Sequence, residues 1–148
     1  MMDLTKIFSL KNLLIYVFSY SFITIYYIYI WQLPYWIGTN KQYIYTYYFT
    51  EFTKHIGLDF IVILIYIVIG EILIQLFKYD CLYYKVLIQM CVIIIITGLL
   101  FTLYKFNLLK NTIFSNWFQY IGVFKIVYDL FIILSIYFTM DFLNSQTQ

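Results

Sequence analysis

Four long apolar runs constrain the fold of this 148-residue chain more than any other feature. They extend over residues 13–33, 58–77, 86–104 and 124–143. An α-helix needs about 20 predominantly apolar residues to cross the hydrocarbon core of a bilayer, and each run has about that length. We therefore predict four membrane-spanning helices in a single membrane domain over residues 1–148.

The composition agrees with a membrane protein. Charged residues make up 11% of the chain and hydrophobic residues 64%, whereas a soluble domain carries about 25% charged residues. The isoleucine-rich stretches have the propensity of strands, but their length favours helices, and an open sheet in lipid would leave backbone groups without partners. The predicted fold class is all-α: an integral membrane four-helix bundle with short interfacial helices.

The connections between the runs differ in character. The turn from Lys78 to Lys85 is short, so the second and third helices are predicted to be antiparallel neighbours. Residues 38–57 are rich in tyrosine, and residues 106–122 contain Trp117. Amphipathic rings favour the membrane–water boundary, so we predict a short helix in the headgroup region from each stretch. The predicted interfacial anchors are Trp31, Trp36 and Trp117.

Glu71 lies well inside the second run, where a charge costs about 2.5–3.5 kcal/mol on insertion scales. We expect no lysine at its depth, so its carboxyl group should be protonated and hydrogen-bonded. Gln75 lies one turn further on the same helix face, and Gln89 is expected at a similar depth on the third helix. Two roles are open for Glu71: a neutral hydrogen-bonding group between helices, or a proton or ion relay.

A second polar group is predicted in the opposite half of the membrane, where Asp59 and Asp129 both fall. Lys125 and Asp129 are spaced i,i+4 and should pair on one helix face. Glu51, His55 and Asp59 recur at the same spacing and would share a face if the second helix began early. One histidine with two carboxylates is a poor zinc ligand set. We therefore predict an interfacial ion-pair network and no metal.

The sequence contains no CxxC, GxSxG or HExxH motif and no Gly-rich phosphate loop. The chain has no arginine, and its lysines are dispersed, so it lacks the guanidinium fork and the basic cluster that nucleic-acid recognition uses. We expect no enzymatic activity, no cofactor and no nucleic-acid partner.

Two stretches carry a resemblance. In FSNWFQYIGVFKIVYDLFIILSIYF (residues 114–138), a Trp-Phe pair is followed by a Gly and then by a Tyr-Asp pair that enters the last helix. GLDFIVILIYIVIGEIL (residues 57–73) is an Asp-led second helix. Together they resemble a family of small four-span membrane proteins from nucleocytoplasmic large DNA viruses, the giant viruses, which has no assigned activity. The matching positions of the first stretch are Trp117, Phe118, Gly122, Tyr128 and Asp129.

The resemblance implies a viral membrane protein in the internal membrane of the virion or in an intracellular membrane of the host. It also implies that Asp59 and Asp129 form the polar pair of interest. Two functions are expected: a structural or membrane-organising role or, as the alternative, a proton or cation transporter or channel-like protein that uses intramembrane carboxylates. The expected partners are the lipid bilayer and either further copies of the chain or other viral membrane proteins.

Overall fold

A computed structural model of the protein describes residues 9–108 and 113–146. Over these residues the chain is helical and forms no strand, as the sequence predicts. The α-helices are α1 Leu10–Thr24, α2 Leu33–Ile37, α3 Lys41–Tyr45, α4 Phe52–Phe77, α5 Leu82–Lys105, α6 Ile113–Ile121 and α7 Phe124–Gln146. Two π-helical segments, Ile25–Ile30 and Thr46–Thr50, continue α1 and α3.

Four of these helices are long and apolar enough to cross a membrane, which confirms that prediction. The four apolar segments are Leu10–Ile30, His55–Phe77, Leu82–Lys105 and Phe124–Gln146. The first ends before the predicted residue 33 because Gln32 adopts the left-handed conformation, with φ of 52°. Pro34 then lies in the first turn of α2, where its missing N–H costs nothing.

The long helices pack in the order α1, α7, α5 and α4, each against the next. Helices α4 and α5 are neighbours, as the short turn between them predicts. Between α1 and α4 the contact is made by long side chains: the Tyr16 hydroxyl donates to the Phe60 carbonyl, and the Tyr20 hydroxyl donates to the Ile56 carbonyl at 2.9 Å. This wider spacing leaves room for a cavity between the two helices.

Helices α4 and α5 approach closely at Gly70. A Cβ atom at this position would lie 2.2 Å from the side-chain nitrogen of Gln89. Gln89 is fully buried and donates from Nε2 to the Ile67 carbonyl at 3.3 Å. Small residues permit this kind of close helix contact in membrane proteins.

The outer faces of the long helices are apolar, whereas the interior contains polar groups. Large apolar side chains that are at least half exposed include Leu14, Phe18, Ile61, Ile95 and Phe131. The buried polar side chains include Ser19, Thr24, Gln89, Thr97 and Asp129. A soluble protein rarely exposes apolar patches of this extent, and lipid is the solvent that suits them.

Short helices occur in both predicted stretches: α3 lies in residues 38–57 and α6 in residues 106–122, of which residues 109–112 lie outside the described residues. Helix α2 lies before the first stretch and was not predicted. They fold over one end of the bundle. Ile44, Tyr47 and Tyr48 are almost completely buried there, so these segments pack as a layer on the long helices. Their position in the headgroup region of a membrane stays a prediction.

Candidate functional site

Two polar sites lie inside the bundle, one near each end. The first contains Asp59 and Asp129, which line a cavity of about 40 Å³ together with Lys125. A cavity of this volume holds a few water molecules at most. We call Asp59, Asp129, Lys125, Thr97 and Tyr47 the aspartate cluster.

Asp129 connects three of the long helices. Its carboxylate forms an ion pair with Lys125, one turn earlier on α7, as the i,i+4 spacing predicts. The Thr97 hydroxyl of α5 donates to Asp129 Oδ2 at 2.9 Å, and the Tyr66 hydroxyl of α4 lies 2.9 Å from Thr97 Oγ1. Because Thr97 uses its proton toward Asp129, Tyr66 donates to Thr97. A continuous chain of polar contacts therefore joins α4, α5 and α7.

Asp59 is held by the layer that covers the bundle. The Tyr47 hydroxyl donates to Asp59 Oδ1 at 3.0 Å, and the neighbouring Tyr48 hydroxyl bonds to the hydroxyl of Tyr128 on α7. Burial, followed by the negative charge of Asp59, raises the pKa of Tyr47 far above its ordinary value. Burial also raises the pKa of Tyr48. Both phenols therefore remain neutral across the physiological pH range.

The three predicted tryptophan anchors lie in different environments. Trp31 and Trp36 are 45% and 73% exposed, whereas Trp117 is 3% exposed. The indole of Trp117 packs 4.7 Å from the ring of Tyr47, and Lys125 Nζ lies 5.8 Å from its centroid. Trp117 thus contacts protein because α6 folds back onto the bundle, and it covers the aspartate cluster.

Glu51 and His55 extend the cluster toward its surface. Helix α4 begins at Phe52, six residues before the predicted start at residue 58. This early start places His55 and Asp59 in the same helix, directly after Glu51. His55 Nε2 lies 2.8 Å from Glu51 Oε2, and the imidazole stacks on Tyr47 with the ring centroids 4.0 Å apart. Asp59 bonds to Tyr47 instead of to this pair. Among the described residues, no three His, Cys, Asp or Glu side chains are placed to hold a metal ion.

The second site is a cavity of about 470 Å³ at the other end of the bundle, which we call the Glu71 cavity. Each of the four long helices contributes one charged side chain to its lining: Lys11 from α1, Glu71 from α4, Lys85 from α5 and Asp141 from α7. Ligand pockets in proteins typically enclose about 300–1,000 Å³, so this cavity has the size of a small-molecule site.

Two lysines line the same cavity as Glu71, which the sequence analysis did not anticipate. The hydroxyl of Tyr137 on α7 interacts with the Glu71 carboxyl group. Lys11 and Lys85 line the same cavity, and Lys85 acts electrostatically on Glu71. The prediction counted only the rise of each backbone, whereas the cavity extends over several helical turns and lysine stems are long. Gln75 lines the cavity with Glu71, as predicted, but Gln89 packs against Gly70 and is not part of the lining.

Several residues of the two sites were not identified from the sequence. Thr97 offered a signal, because it interrupts the aliphatic run of α5. Tyr47 and Tyr66 offered none, since the chain contains 18 tyrosines and nothing local distinguishes these two. Lys85 and Asp141 sit near helix ends, where charged residues are usual.

The two sites permit different chemistry. In the aspartate cluster both carboxylates are bonded to groups of the chain itself. In the Glu71 cavity Tyr137 interacts with Glu71, and charges of both signs face a volume large enough for a small molecule. Comparisons with protein-family models, with curated proteins and with solved structures find no match to this chain. The functional interpretation therefore rests on the geometry of these two sites.

Proposed function

We propose that the protein is a multi-pass membrane protein with a structural or membrane-organising role and without catalytic activity. The observation that supports this role is the bonded chain from Tyr66 through Thr97 and Asp129 to Lys125, which joins three long helices. Polar contacts between membrane helices contribute about 0.6 kcal/mol each on average and up to about 1.7 kcal/mol. Several of them in one cluster select a single arrangement of the helices.

The covering layer adds to this interpretation. Tyr47 and Tyr48 tie the segment between α3 and α4 to Asp59 and Tyr128, and Trp117 closes over them. The cavity beneath has the volume of a few waters, so this end of the bundle lacks space for a wide path. A closed, cross-linked end with apolar outer faces suits a protein whose contacts are with lipid and with other membrane proteins.

The membrane and the partners are proposed from the resemblance of residues 57–73 and 114–138 to the giant-virus family. We propose the internal membrane of the virion or an intracellular membrane of the host, with further copies of the chain or other viral membrane proteins as partners. Localisation of the tagged chain in infected cells, together with proteomics of purified virions, tests this proposal. Absence from both membranes would contradict it.

A proton or cation transporter is the second candidate, and one observation favours it. Glu71 lines the Glu71 cavity together with the charged side chains of Lys11, Lys85 and Asp141. A carboxylate in such a position is a common element of ion pathways in membranes. The functional roles of the two sites can therefore be separated by measuring transport directly.

The experiment is a flux assay in proteoliposomes with an imposed pH gradient or potassium gradient. Wild type, Glu71→Gln and the control Asp80→Asn, an exposed residue of the turn between α4 and α5, are reconstituted at equal density. The structural proposal predicts that all three show the flux of protein-free liposomes. A wild-type flux that Asp80→Asn retains and Glu71→Gln abolishes would replace the structural role with transport.

A further inference from the structure

One face of α4 lines the Glu71 cavity over about three helical turns. The apolar residues Leu64, Ile67 and Val68 come first along the helix. The polar residues Glu71 and Gln75 follow on the same face, at i,i+3 and i,i+4 spacing. From Leu64 to Gln75 the backbone rises about 16 Å. Along this one helix the lining therefore changes from apolar to polar toward the end of α4.

The polar residues that the other helices contribute lie at the same end of the bundle. Each is within about 8 Å, along the helix axis, of the terminus of its helix. They are Ser9, Lys11 and Asn12 at the start of α1, Lys85 in the first turn of α5, and Asp141 and Asn144 near the end of α7. Deeper in α1 and α7 the lining consists of the almost completely buried rings of Tyr16 and Tyr137. The cavity is therefore amphipathic along its length.

The charges at the polar end of the cavity are balanced. Two lysines and two acids line it: Lys11, Lys85, Glu71 and Asp141. The bond between Thr97 and Asp129 fixes the relative level of α5 and α7. Lys85 and Asp141 are each 12 residues from this bond, about 18 Å along the helix axes, so they lie at the same level of the bundle. The polar end thus presents a cation and an anion side by side.

We propose that the Glu71 cavity binds one zwitterionic phospholipid, with an acyl chain in the apolar part and the headgroup among the four charges. The phosphate contacts Lys85, and the ammonium group faces Asp141 and Glu71. A carboxylate has about four acceptor positions, so the contact of Glu71 with Tyr137 leaves it able to face a ligand. This lipid site goes beyond the structural role proposed above and rests only on the proposed membrane location.

The order of polarity along the cavity favours a lipid over a free solute. If the long helices cross the membrane, their termini lie near the headgroups and Leu64 lies in the hydrocarbon region. A phospholipid of the adjacent leaflet has its headgroup and its chains in the same order. An acyl chain also makes dispersion contacts with the apolar lining, which a small hydrophilic solute would leave unfilled.

Two further observations bear on the kind of lipid. Lys11 and Leu13 line the cavity and are exposed, so the lining reaches the outer surface of the bundle at α1. The second chain of a phospholipid can therefore stay in the surrounding bilayer. Basic pockets between membrane helices bind anionic headgroups, whereas this lining has as many acids as lysines. The balance of charge therefore favours a zwitterionic headgroup.

Lipid binding to the full chain in detergent tests the site. The delipidated chain is titrated with dioleoyl phosphatidylcholine, dioleoyl phosphatidylethanolamine, dioleoyl phosphatidylglycerol and the chain-free headgroup glycerophosphocholine, and the complexes are counted by native mass spectrometry. We expect saturable binding of a single molecule of at least one of the two zwitterionic phospholipids. Phosphatidylglycerol, which has no ammonium group, should bind roughly tenfold more weakly, and glycerophosphocholine should show no saturable binding.

Two cavity variants separate the chain from the headgroup. Leu64→Trp fills the apolar part and should remove saturable binding, whereas Ile95→Trp, at an exposed position of α5 outside the lining, should bind as wild type does. Lys85→Gln should weaken the affinity roughly tenfold, the effect of one hydrogen bond to a charged group. Lys41→Gln, which changes an exposed lysine of α3, should leave the affinity unchanged.

The melting temperature of each variant verifies that it is folded, and Lys85→Gln decides the question if Leu64→Trp does not fold. Four results would overturn the lipid site: no saturable binding of either zwitterionic phospholipid, equally tight binding of phosphatidylglycerol, equally tight binding of glycerophosphocholine, or wild-type binding by a folded cavity variant. Flotation of the chain with vesicles after a carbonate wash measures membrane insertion separately. A chain that floats but does not bind lipid saturably refutes the lipid site and leaves the proposed membrane location intact.

Discussion

Lys125 is the cation between two carboxylates, and its neutralisation should destabilise the bundle more than the loss of either acid. Lys125 pairs with Asp129 and acts electrostatically on Asp59. The side chains of Lys125 and Asp129 are only 16% and 9% exposed, so water screens the pair weakly. Lys125→Met keeps the length of the stem but leaves two carboxylates without a cation in their cavity.

The expected magnitudes follow from this imbalance. Removal of one partner of a buried ion pair costs about 3–5 kcal/mol, so Lys125→Met should lower the free energy of unfolding by about that amount. Asp129→Asn leaves Lys125 with Asp59 and retains an oxygen that can accept from Thr97, so its cost should be about 1–2 kcal/mol. In the double variant Lys125→Met/Asp129→Asn, only Asp59 remains without a cation. The double variant should therefore lose less free energy of unfolding than the two single variants lose together.

The assay is equilibrium unfolding in mixed detergent micelles, followed by tryptophan fluorescence, because Trp117 covers the cluster. Lys41→Met, an exposed lysine on α3, is the control and should be close to wild type. The reasoning is refuted if Lys125→Met lowers the free energy of unfolding no more than Asp129→Asn does. It is also refuted if the double variant loses the sum of the free energies that the two single variants lose.

Two further predictions concern helix contact and pH. Gly70→Ala should lower the free energy of unfolding by about 1–3 kcal/mol, because the added Cβ displaces the buried side chain of Gln89. Gly98→Ala is the control: its Cβ would enter open space, so this change should leave the free energy of unfolding unchanged or raise it in the same assay. Tyr47 and Tyr48 have raised pKa values when folded and ordinary values near 10.0 when unfolded, so their contribution to stability is constant below about pH 10 and falls above it. Between pH 9 and 11 the melting temperature should therefore fall less steeply with pH in a variant with phenylalanine at both positions than in wild type. The same dependence of melting temperature on pH in both proteins would argue against the burial of these two tyrosines.

The parts of the structure that follow from local rules were predictable from the sequence. Each apolar run has the length that a bilayer requires, so the four long helices could be located within a few residues. The pairing of Lys125 with Asp129 depends only on the i,i+4 spacing within one helix. The antiparallel contact of α4 and α5 follows from a turn too short to permit another arrangement.

The parts that depend on contacts between helices were not predictable. The spacing in the sequence cannot show that Thr97 meets Asp129, because the two residues are on different helices whose rotation is set by packing. The aromatic preference for the membrane boundary suggested an anchor at Trp117, but the way α6 folds back buries this ring. Depth estimated from backbone rise missed Lys85 near Glu71, since it omits the length of the side chain and the cavity between α1 and α4.

The most direct test of the membrane arrangement is cysteine labelling in sealed vesicles with a membrane-impermeant maleimide. The native Cys81 lies exposed in the turn between α4 and α5, while Thr39→Cys and Val123→Cys place the thiol at the opposite end of the bundle, before α4 and after α6. Each thiol is tested alone, with Cys91 replaced by serine. If the long helices cross the membrane, positions 39 and 123 should label together and position 81 should label from the other side. Labelling of all three positions before the vesicles are lysed would contradict a membrane-spanning bundle.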